Sequence, residues 1–479
     1  MKSLTFLFVT LLICSHYIYA DTSKPNIIIF MADDLGYGSI NGMGASKNHI
    51  NTPNLNSLMS EGLSFTNAFT TASVCSPTRY GVLTGRYSWR TQLKSGVVNS
   101  YDPMLISSDT MTIGQYLQNS GYRTAAVGKW HLGYKGKKFQ NLLGKISPGP
   151  NDVGFNYHFG VPNNYDDIHK VYIENNHIFG LKSDRIQSYG KSSYGKPYTG
   201  YDAPQRECKT VMEFTTQKAI DWILQTKDQP FFMYFNSVGV HIPIIPSDRM
   251  KGTSGIGAYG DFIHDVDYSV GQFIKALREN GLDKNTLFIF TSDNGGDLPV
   301  GSTKAERIAY ASGFRSNGNL RGDKHTIFEG GLKVPFIVKW PDQIKAGEVS
   351  NSLVSTVDIF CTLTEAVNNN VPEPKIAAPD SFSFYHLFKN PNAESKRQYL
   401  INRDAKGRQA IRKGRWKFVD NFFPGNGKSS GEEIGIKMLF DLQNDPTEQN
   451  NVLNKYPEVV KELSKLLNSA RSTPNTRTR

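Results

Sequence analysis

Several short apolar runs punctuate the chain, each followed by a polar or glycine-rich segment. Residues 25–32 read Pro-Asn-Ile-Ile-Ile-Phe-Met-Ala, without alternation of apolar and polar positions. Similar runs occur at 124–127, 230–235, 286–291 and 334–340. A continuous run of β-branched and aromatic residues is typical of a strand covered on both faces. The pattern therefore predicts central strands of a buried sheet.

Segments with helical spacing of apolar residues alternate with these runs. Strand–helix alternation of this kind predicts a parallel sheet within a three-layer α/β domain. We therefore predict an α/β fold whose large domain has a mostly parallel central sheet, and we assign residues 21–379 to it. The predicted helices lie at 52–63, from Cys75 onward, and at 112–119, 211–224, 261–279 and 356–366.

Two regions depart from this alternation. Residues 134–206 are rich in Gly, Lys, Tyr and Asn, with few apolar periods, which predicts a long irregular insertion near the functional site. Beyond residue 380 short strand patterns precede a helix at 457–467. They predict a smaller C-terminal α+β domain over 380–479 with a short antiparallel sheet, and a disordered basic tail from Arg471.

The first residues have the pattern of an export signal. An apolar run over 4–19 follows Lys2, and Ala20 precedes Asp21. A charged start, an apolar centre and a small residue at the cleavage point are typical of a secretory signal peptide, here 1–20. We predict an exported protein, periplasmic or secreted, without a membrane span, because no apolar run is long enough to cross a bilayer.

Charge and cysteine content narrow the possible partners. The chain of 479 residues has a formal net charge of +11, and the positive residues are dispersed. Dispersal argues against nucleic acid as a partner, whereas a polyanionic polysaccharide is compatible with a basic exported protein. Three cysteines follow the signal, so one has no partner for a disulfide. A Cys208–Cys361 pair stays open, although two buried free thiols are favoured.

Acidic and amide side chains follow two of the predicted strands. Asp33 and Asp34 come directly after the first strand, and Asp293 and Asn294 follow the run at 286–291. Ligands of open α/β sheets bind at the carboxyl ends of strands. A set made only of carboxylate and amide oxygens suits a hard cation, Ca²⁺ before Mg²⁺, and not zinc.

Fixed cations and titratable groups accompany this set. A divalent ion together with several cations would make a pocket selective for an anion such as sulfate or phosphate. The nucleophile that such a pocket needs is missing from the set, and Cys75 is the candidate. The other candidates are Arg79, Lys129, His131, His241 and Lys324.

Separated motifs then match a known family. Cys75-Ser-Pro-Thr-Arg79 with Leu83-Thr-Gly-Arg86 resembles the first signature of the formylglycine-dependent sulfatases, in the alkaline-phosphatase-like superfamily. Gly121-Tyr-Arg-Thr-Ala-Ala-Val-Gly-Lys-Trp-His-Leu-Gly133 resembles the second. The similarity runs from about residue 25 to 341, and Leu439-Phe-Asp-Leu442 with Asn444-Asp-Pro446 is similar to the family's C-terminal end.

The resemblance implies a mechanism. A formylglycine-generating maturation enzyme would read Cys-x-Pro-x-Arg and oxidise Cys75 to formylglycine, whose hydrate attacks sulfur and forms a sulfated intermediate. The implied roles are as follows: calcium ligands Asp33, Asp34, Asp293 and Asn294; formylglycine orientation by Arg79 and Lys129; base at His131; sulfate binding and protonation of the leaving oxygen by His241 and Lys324.

The resemblance leaves the substrate open. Asn164 lies where relatives place varied substrate contacts, and Arg321 is a second candidate contact. Val171-Tyr-Ile-Glu-Asn175 is similar to a branch that acts on sulfated galactans such as carrageenan. We expect a sulfatase acting on a sulfated carbohydrate. The alternatives are a phosphoester hydrolase of the same fold and a non-catalytic protein that binds sulfated glycans. The sequence does not predict the oligomeric state.

Overall fold

The computed structural model of the protein describes residues 24–136, 142–187, 189–193, 195–298, 303–422 and 435–477. The predicted signal peptide, 1–20, lies outside the described residues. Within them, no helix combines the length and the apolar character needed to cross a membrane.

Eighteen strands occur in the described part of the chain. They are β1 Asn26–Ala32, β2 Leu63–Phe65, β3 Ala68–Phe69, β4 Arg123–Lys129, β5 Tyr157–Val161, β6 Ile173–Glu174, β7 His177–Ile178, β8 Ser183–Ile186, β9 Tyr201–Asp202, β10 Phe231–Asn236, β11 Thr286–Ser292, β12 Phe336–Lys339, β13 Glu348–Ser350, β14 Val354–Ser355, β15 Leu400–Arg403, β16 Gln409–Lys413, β17 Trp416–Phe422 and β18 Ile436–Asp441.

Nine α-helices occur in the same described ranges. They are α1 Pro53–Glu61, α2 Cys75–Thr84, α3 Ile113–Asn119, α4 Val211–Thr226, α5 Ala258–Glu279, α6 Lys304–Ala311, α7 Glu329–Leu332, α8 Ile359–Asn368 and α9 Pro457–Ser472.

A ten-stranded sheet forms the centre, in the order β13-β2-β12-β11-β1-β10-β4-β5-β6-β7. The strands from β11 to β5 in this order are parallel to their neighbours, and antiparallel pairs lie on either side of them. Helices cover both faces. The predicted α/β fold with a mostly parallel central sheet is therefore confirmed.

Strand β1 shows why its apolar run is continuous. Ile27, Ile29 and Met31 belong to the apolar cluster on one face of the sheet. Ile28 and Phe30 belong to the cluster on the opposite face. Because successive side chains of a strand point to opposite faces, a strand between two helical layers needs apolar residues at every position.

The four C-terminal strands β15–β18 form a separate antiparallel sheet, which confirms that part of the fold prediction. The predicted disorder from Arg471 is wrong for the described residues. Helix α9 continues to Ser472, Thr476 hydrogen-bonds to the Asp380 carboxylate, and Arg477 donates to the Ala378 carbonyl. The sequence of a basic tail contains no pattern that predicts such long-range contacts.

Two further local expectations differ from the structure. The predicted helix at 52–63 ends at Glu61, because Gly62 is extended and Leu63 begins β2, which pairs with β12. The stretch 134–206 is not wholly irregular, since it holds β5 to β9, and β5 extends the central sheet beside β4. The boundary between the domains near residue 380 stays a prediction.

Candidate active site

Three carboxylates meet at the carboxyl edge of the central sheet. Asp33 and Asp34 follow β1, and Asp293 follows β11, the parallel neighbour of β1. All three side chains are buried, with at most 1% of each residue exposed. One ligand atom from each, together with Cys75 Sγ, lies in a group whose members are all within 4.8 Å of one another. The structure therefore brings the ends of β1 and β11 together with Cys75.

Each carboxylate has its own cationic partner. Lys129 Nζ lies 2.7 Å from Asp33, and Lys324 Nζ lies 2.7 Å from Asp34. Arg79 donates from Nη2 and Nε to Asp293, at 2.6 and 3.1 Å. These charged pairs are buried, so each partner offsets the large cost of removing the other charge from water.

The carboxylates also perturb one another. Burial raises the pKa of Asp33 to about 7; the Lys129 ammonium opposes this, and Asp293 and Asp34 add to it. Burial acts in the same direction on Asp34, but Lys324 and His241 outweigh it and lower the pKa of Asp34. A concentration of buried carboxylates that repel one another is the arrangement that a divalent cation relieves.

Asn294 supplies the observation that tests the fit of a cation. Its Nδ2 donates to Asp34 Oδ1 at 2.7 Å, but its Oδ1 is buried and has no hydrogen-bond partner among the described residues. A buried amide oxygen without a donor is costly unless a ligand, ion or water satisfies it. The oxygen set of Asp33, Asp34, Asp293 and Asn294 therefore fits a hard cation.

Cys75 opens helix α2, all ten residues of which are buried. Its Sγ lies 3.7 Å from Asp33 Oδ1 and 3.7 Å from Lys129 Nζ. Burial raises the pKa of the thiol, and the nearby Asp293 raises it further against the effect of Lys129. The thiol is therefore protonated at neutral pH, and an unmodified Cys75 lacks the thiolate that nucleophilic attack requires.

Two histidines flank the centre in the neutral form. Burial, then the charges of Lys129 and Arg79, lowers the pKa of His131, and its Nδ1 has no partner among the described residues. Burial and Lys324 lower the pKa of His241. The contact of His241 Nδ1 with the Ile242 carbonyl, 2.6 Å, assigns the proton to Nδ1 and leaves Nε2 facing Asp34 at 3.9 Å.

A cavity of about 230 Å³ opens beside His131. Apart from His131 and Asn164, its polar lining residues were not predicted from the sequence. Asn163 Oδ1 and Asn164 Oδ1 are buried without a partner in the described structure, and Asp167 accepts a hydrogen bond from Ser100. Asn163 is next to the predicted contact Asn164, whereas Ser100 and Asp167 have no sequence signal. Unpartnered polar atoms in a cavity favour a ligand rich in hydroxyl groups.

The two predicted substrate contacts differ in placement. Asn164 lines this cavity. Arg321 instead donates from Nη1 to the Glu448 carbonyl at 2.5 Å, and its guanidinium carbon lies 3.8 Å from the Phe328 ring centroid. Its role as a substrate contact stays a prediction.

Backbone hydrogen bonds join the segment before Cys75 to the loop that carries Lys324. The His325 N–H donates to the Ser73 carbonyl at 2.8 Å, and the Ser73 N–H donates to the Arg403 carbonyl at 3.0 Å. The Ala405 N–H in turn donates to the His325 carbonyl at 3.2 Å. The C-terminal sheet therefore contacts the chain two residues before Cys75 and one residue after Lys324.

A buried ionic cluster anchors the far end of the same loop. Lys417 of β17 is fully buried, and its Nζ lies 3.0 Å from Glu329 and 2.8 Å from Glu448. Glu448 Oε2 accepts the Glu329 N–H at 2.6 Å, and Arg412 lies 2.7 Å from the Glu329 carboxylate. We call Glu329, Arg412, Lys417 and Glu448 the anchoring cluster.

The cysteines outside the centre carry free thiols. Cys361 is buried and Cys208 is half-buried. The preference for free thiols over a Cys208–Cys361 disulfide is confirmed, although Cys208 is not fully buried.

Comparisons with known proteins agree with this geometry. A family model described as Sulfatase matches residues 25–369. A second one, described as N-sulphoglucosamine sulphohydrolase, C-terminal, matches residues 321–473. An N-acetylgalactosamine-6-O-sulfatase of Bacteroides thetaiotaomicron is 33% identical over 488 residues, covering 94% of both chains. The mouse N-acetylgalactosamine-6-sulfatase is 31% identical over 74% of this chain and 64% of its own.

Solved structures are also similar to this chain. A structure from work on the metabolism of multiple glycosaminoglycans by Bacteroides thetaiotaomicron has a TM-score of 0.86 and 32% identity, covering 94% of this chain and 100% of that one. A protein solved in complex with neocarrahexaose has a TM-score of 0.70 at 23% identity, covering 93% and 92%. At that identity the second likeness concerns the fold alone.

The anchoring cluster yields a prediction. Lys417→Met leaves two buried carboxylates without their shared cation, so we expect the free energy of unfolding to fall by about 3–5 kcal/mol. Because the cluster anchors the Lys324 loop, amide hydrogen exchange at 321–331 should also accelerate. The matched control is Lys413→Met, which removes an exposed pair with Glu462 and should cost less than about 1 kcal/mol. Equal effects of the two variants would contradict the anchoring role.

Proposed function

We propose that this chain, which belongs to the sulfatase family, hydrolyses the 6-O-sulfate ester of a galactose-configured sugar in a sulfated glycan. Membership makes the chain a sulfuric ester hydrolase acting on sulfated glycans. The observation that carries the finer statement is the match over 94% of both chains to an N-acetylgalactosamine-6-O-sulfatase. The cavity beside His131 offers polar atoms suited to a sugar ring.

The nucleophile in this proposal is a formylglycine made from Cys75 by a maturation enzyme during export. The protonated state of the thiol supports it, because an unmodified Cys75 would be a poor nucleophile. When present, the hydrated aldehyde would supply a hydroxyl that attacks sulfur. Arg79 and Lys129 would orient residue 75, since Lys129 Nζ already lies 3.7 Å from Sγ.

Calcium is the cation that we assign to Asp33, Asp34, Asp293 and Asn294. Four oxygen donors without a histidine suit Ca²⁺ better than Zn²⁺, and Mg²⁺ is the second choice because it demands a smaller, octahedral cage. When bound, the cation would neutralise negative charge near sulfur.

The remaining residues would move protons and hold the sulfate. His131 is neutral and its Nδ1 has no hydrogen-bond partner among the described residues, so this atom would be able to accept a proton. Lys324 remains charged, because Asp34 raises its pKa against the effect of burial. The negative charge of a bound sulfate ester would raise the pKa of His241, which would let His241 protonate the leaving oxygen.

Experiments can distinguish the proposed function from two alternative functions. A phosphoester hydrolase would use the same tetrahedral recognition, and a phosphonate monoester hydrolase of Agrobacterium radiobacter shares the fold at a TM-score of 0.61 and 18% identity. A non-catalytic glycan-binding protein would keep Cys75 unmodified. Comparing sulfate and phosphate esters of one phenol tests the first, and the mass of the Cys75 peptide tests the second.

Our first functional prediction concerns Cys75. In protein expressed in a host with the maturation enzyme, the Cys75 peptide should lose sulfur and gain an aldehyde oxygen. Cys75→Ala should lower sulfate release at least about a thousandfold, because the covalent step is lost, while thermal unfolding stays similar. Cys208→Ala, outside the centre, is the matched control and should retain activity. Full activity of Cys75→Ala would rule the mechanism out.

A second prediction concerns the cation. Chelation should abolish turnover and lower the unfolding temperature, and added Ca²⁺ should restore both more effectively than Mg²⁺, since a ligand of the native state stabilises it. Asp34→Asn should remove the response, whereas Asp248→Asn, on an exposed residue, should keep it. Unchanged activity in protein shown to contain no metal would contradict the assignment.

A third prediction tests the substrate. Sulfate should be released faster from N-acetylgalactosamine 6-sulfate than from its 4-sulfate isomer or from carrageenan oligosaccharides. Asp167→Asn should raise KM about tenfold with a smaller change in kcat, because a charged hydrogen-bond partner of the sugar is lost. Asp184→Asn, on exposed strand β8, is the control. Preference for carrageenan would replace the proposed substrate with the sulfated-galactan alternative.

A further inference from the structure

A second cavity, of about 480 Å³, is lined in part by the loop that follows β1. It shares no lining residue with the cavity beside His131. Segments 37–49 and 313–320 form most of its wall, and the C-terminal domain closes one end. We call this cavity the basic groove, and its polar lining includes Tyr37, His49, Arg315, Asn319, Lys333 and Thr447.

The charged groups of the basic groove have one sign. Arg315 and Lys333 line it together with the titratable His49, and none of the described lining residues is Asp or Glu. A concave surface of one charge concentrates ions of the opposite charge, because field lines are focused between low-dielectric walls. The groove is therefore suited to an anion.

Lys333 is the most informative of these groups. Its side chain is half-buried, and its ammonium lies 4.3 Å from the Tyr37 ring centroid. Burial lowers the pKa of Lys333; the charge of Glu329 opposes this effect, and the charge of Arg412 adds to it. Among the described residues no carboxylate lies within ion-pair distance of Lys333. A partly desolvated cation without a counter-charge is costly, and a bound anion would offset that cost.

Arg315 offers further donors at the other side of the groove. Its Nη1 donates to the backbone carbonyls of Tyr310 and Phe314, at 3.0 and 2.9 Å, and its guanidinium stacks at 3.7 Å on the Tyr310 ring. These contacts hold the guanidinium in place while Nε and Nη2 have no partner in the described structure. A guanidinium fixed in this way loses little conformational entropy when it binds an oxyanion.

The groove and the active site share a wall. The Gly38 N–H donates to the Ser316 carbonyl at 2.7 Å, and the Gly296 N–H donates to Asn317 Oδ1 at 2.8 Å. Gly38 follows Asp34 by four residues, and Gly296 follows Asn294 by two. A polymeric ligand whose one unit reaches the active site therefore has a second anion-selective surface nearby.

We propose that the basic groove binds a sulfate group of a sulfated glycan chain outside the catalytic centre, through Lys333 and Arg315. Such a site would retain a polymer on the enzyme between cleavage events. Binding there requires no turnover, so its failure would leave the proposed hydrolase activity untouched.

The test compares polymer binding by charge-matched variants of the full-length chain. The probes are dextran sulfate and unsulfated dextran, with affinity measured by electrophoresis in gels containing each polymer. The groove double variant is Lys333→Met with Arg315→Met. The control double variant is Lys345→Met with Lys465→Met, which removes the same charge from exposed positions outside the groove. If the groove double variant fails to fold, the same affinity is measured for Arg315→Met alone, because this side chain is exposed.

We expect the groove double variant to lose about tenfold or more in affinity for dextran sulfate, since two charge-assisted contacts are removed. The control should change by less than about twofold, and unsulfated dextran should bind none of the proteins. Hydrolysis of a small aryl sulfate should be unchanged in both double variants. Equal losses in the two double variants would overturn the proposal, because general attraction to a basic protein would explain them. An affinity for inorganic sulfate equal to that for dextran sulfate would also overturn it, since the groove would then bind the free ion and not a polymer.

Discussion

The structure of the centre depends on the pairing of three buried carboxylates with three buried cations. Arg79, Lys129 and Lys324 come from three different segments, and each contacts a carboxylate at the end of β1 or β11. Because an unpaired buried charge is far more costly than a paired one, the folded chain must bring helix α2, strand β4 and the 321–331 loop to the same edge of the sheet. The pairing of these buried charges therefore constrains how the three segments fold.

The C-terminal domain takes part in this constraint. Its strand β15 ends at Arg403, whose carbonyl accepts the Ser73 N–H, and Ala405 contacts His325. At the far end of the loop, Lys417 joins Glu329 to Glu448. The position of Lys324 relative to Cys75 is thus set from two sides by a sheet that contributes no charged group of its own to the centre. A second domain of this kind acts as a scaffold for the site and not as a separate module.

The parts of this arrangement that could be predicted are those with a local signal. Continuous apolar runs identified β1, β10 and β11, and the rule that parallel strands end at one edge brought Asp33 and Asp293 together. Strand β5 was missed because Tyr157–Val161 contains His158 and Gly160, and the imidazole is satisfied by a hydrogen bond with the Ala126 carbonyl. Strands of two or three residues, such as β2 and β14, are too short to show a period.

Contacts between distant segments were beyond sequence reasoning for a different reason. The partners Lys417 and Glu329 are 88 residues apart, and neither stands in a motif. Ser100 and Asp167 likewise meet only because the insertion folds back over the loop before α3. Their side chains are ordinary surface types, so composition gives no reason to expect them in a cavity beside His131.

The charge count of the centre explains why a site of this kind attracts an oxyanion. Asp33, Asp34 and Asp293 carry three formal negative charges, which Arg79, Lys129 and Lys324 cancel. A divalent cation held by the same oxygens would add two positive charges, and Asp297, 4.0 Å from Lys324 Nζ, would offset only part of them. An anionic ester would therefore be attracted to the site. The neutral His131 and His241 add no charge to this count, because burial and the nearby lysines lower their pKa values.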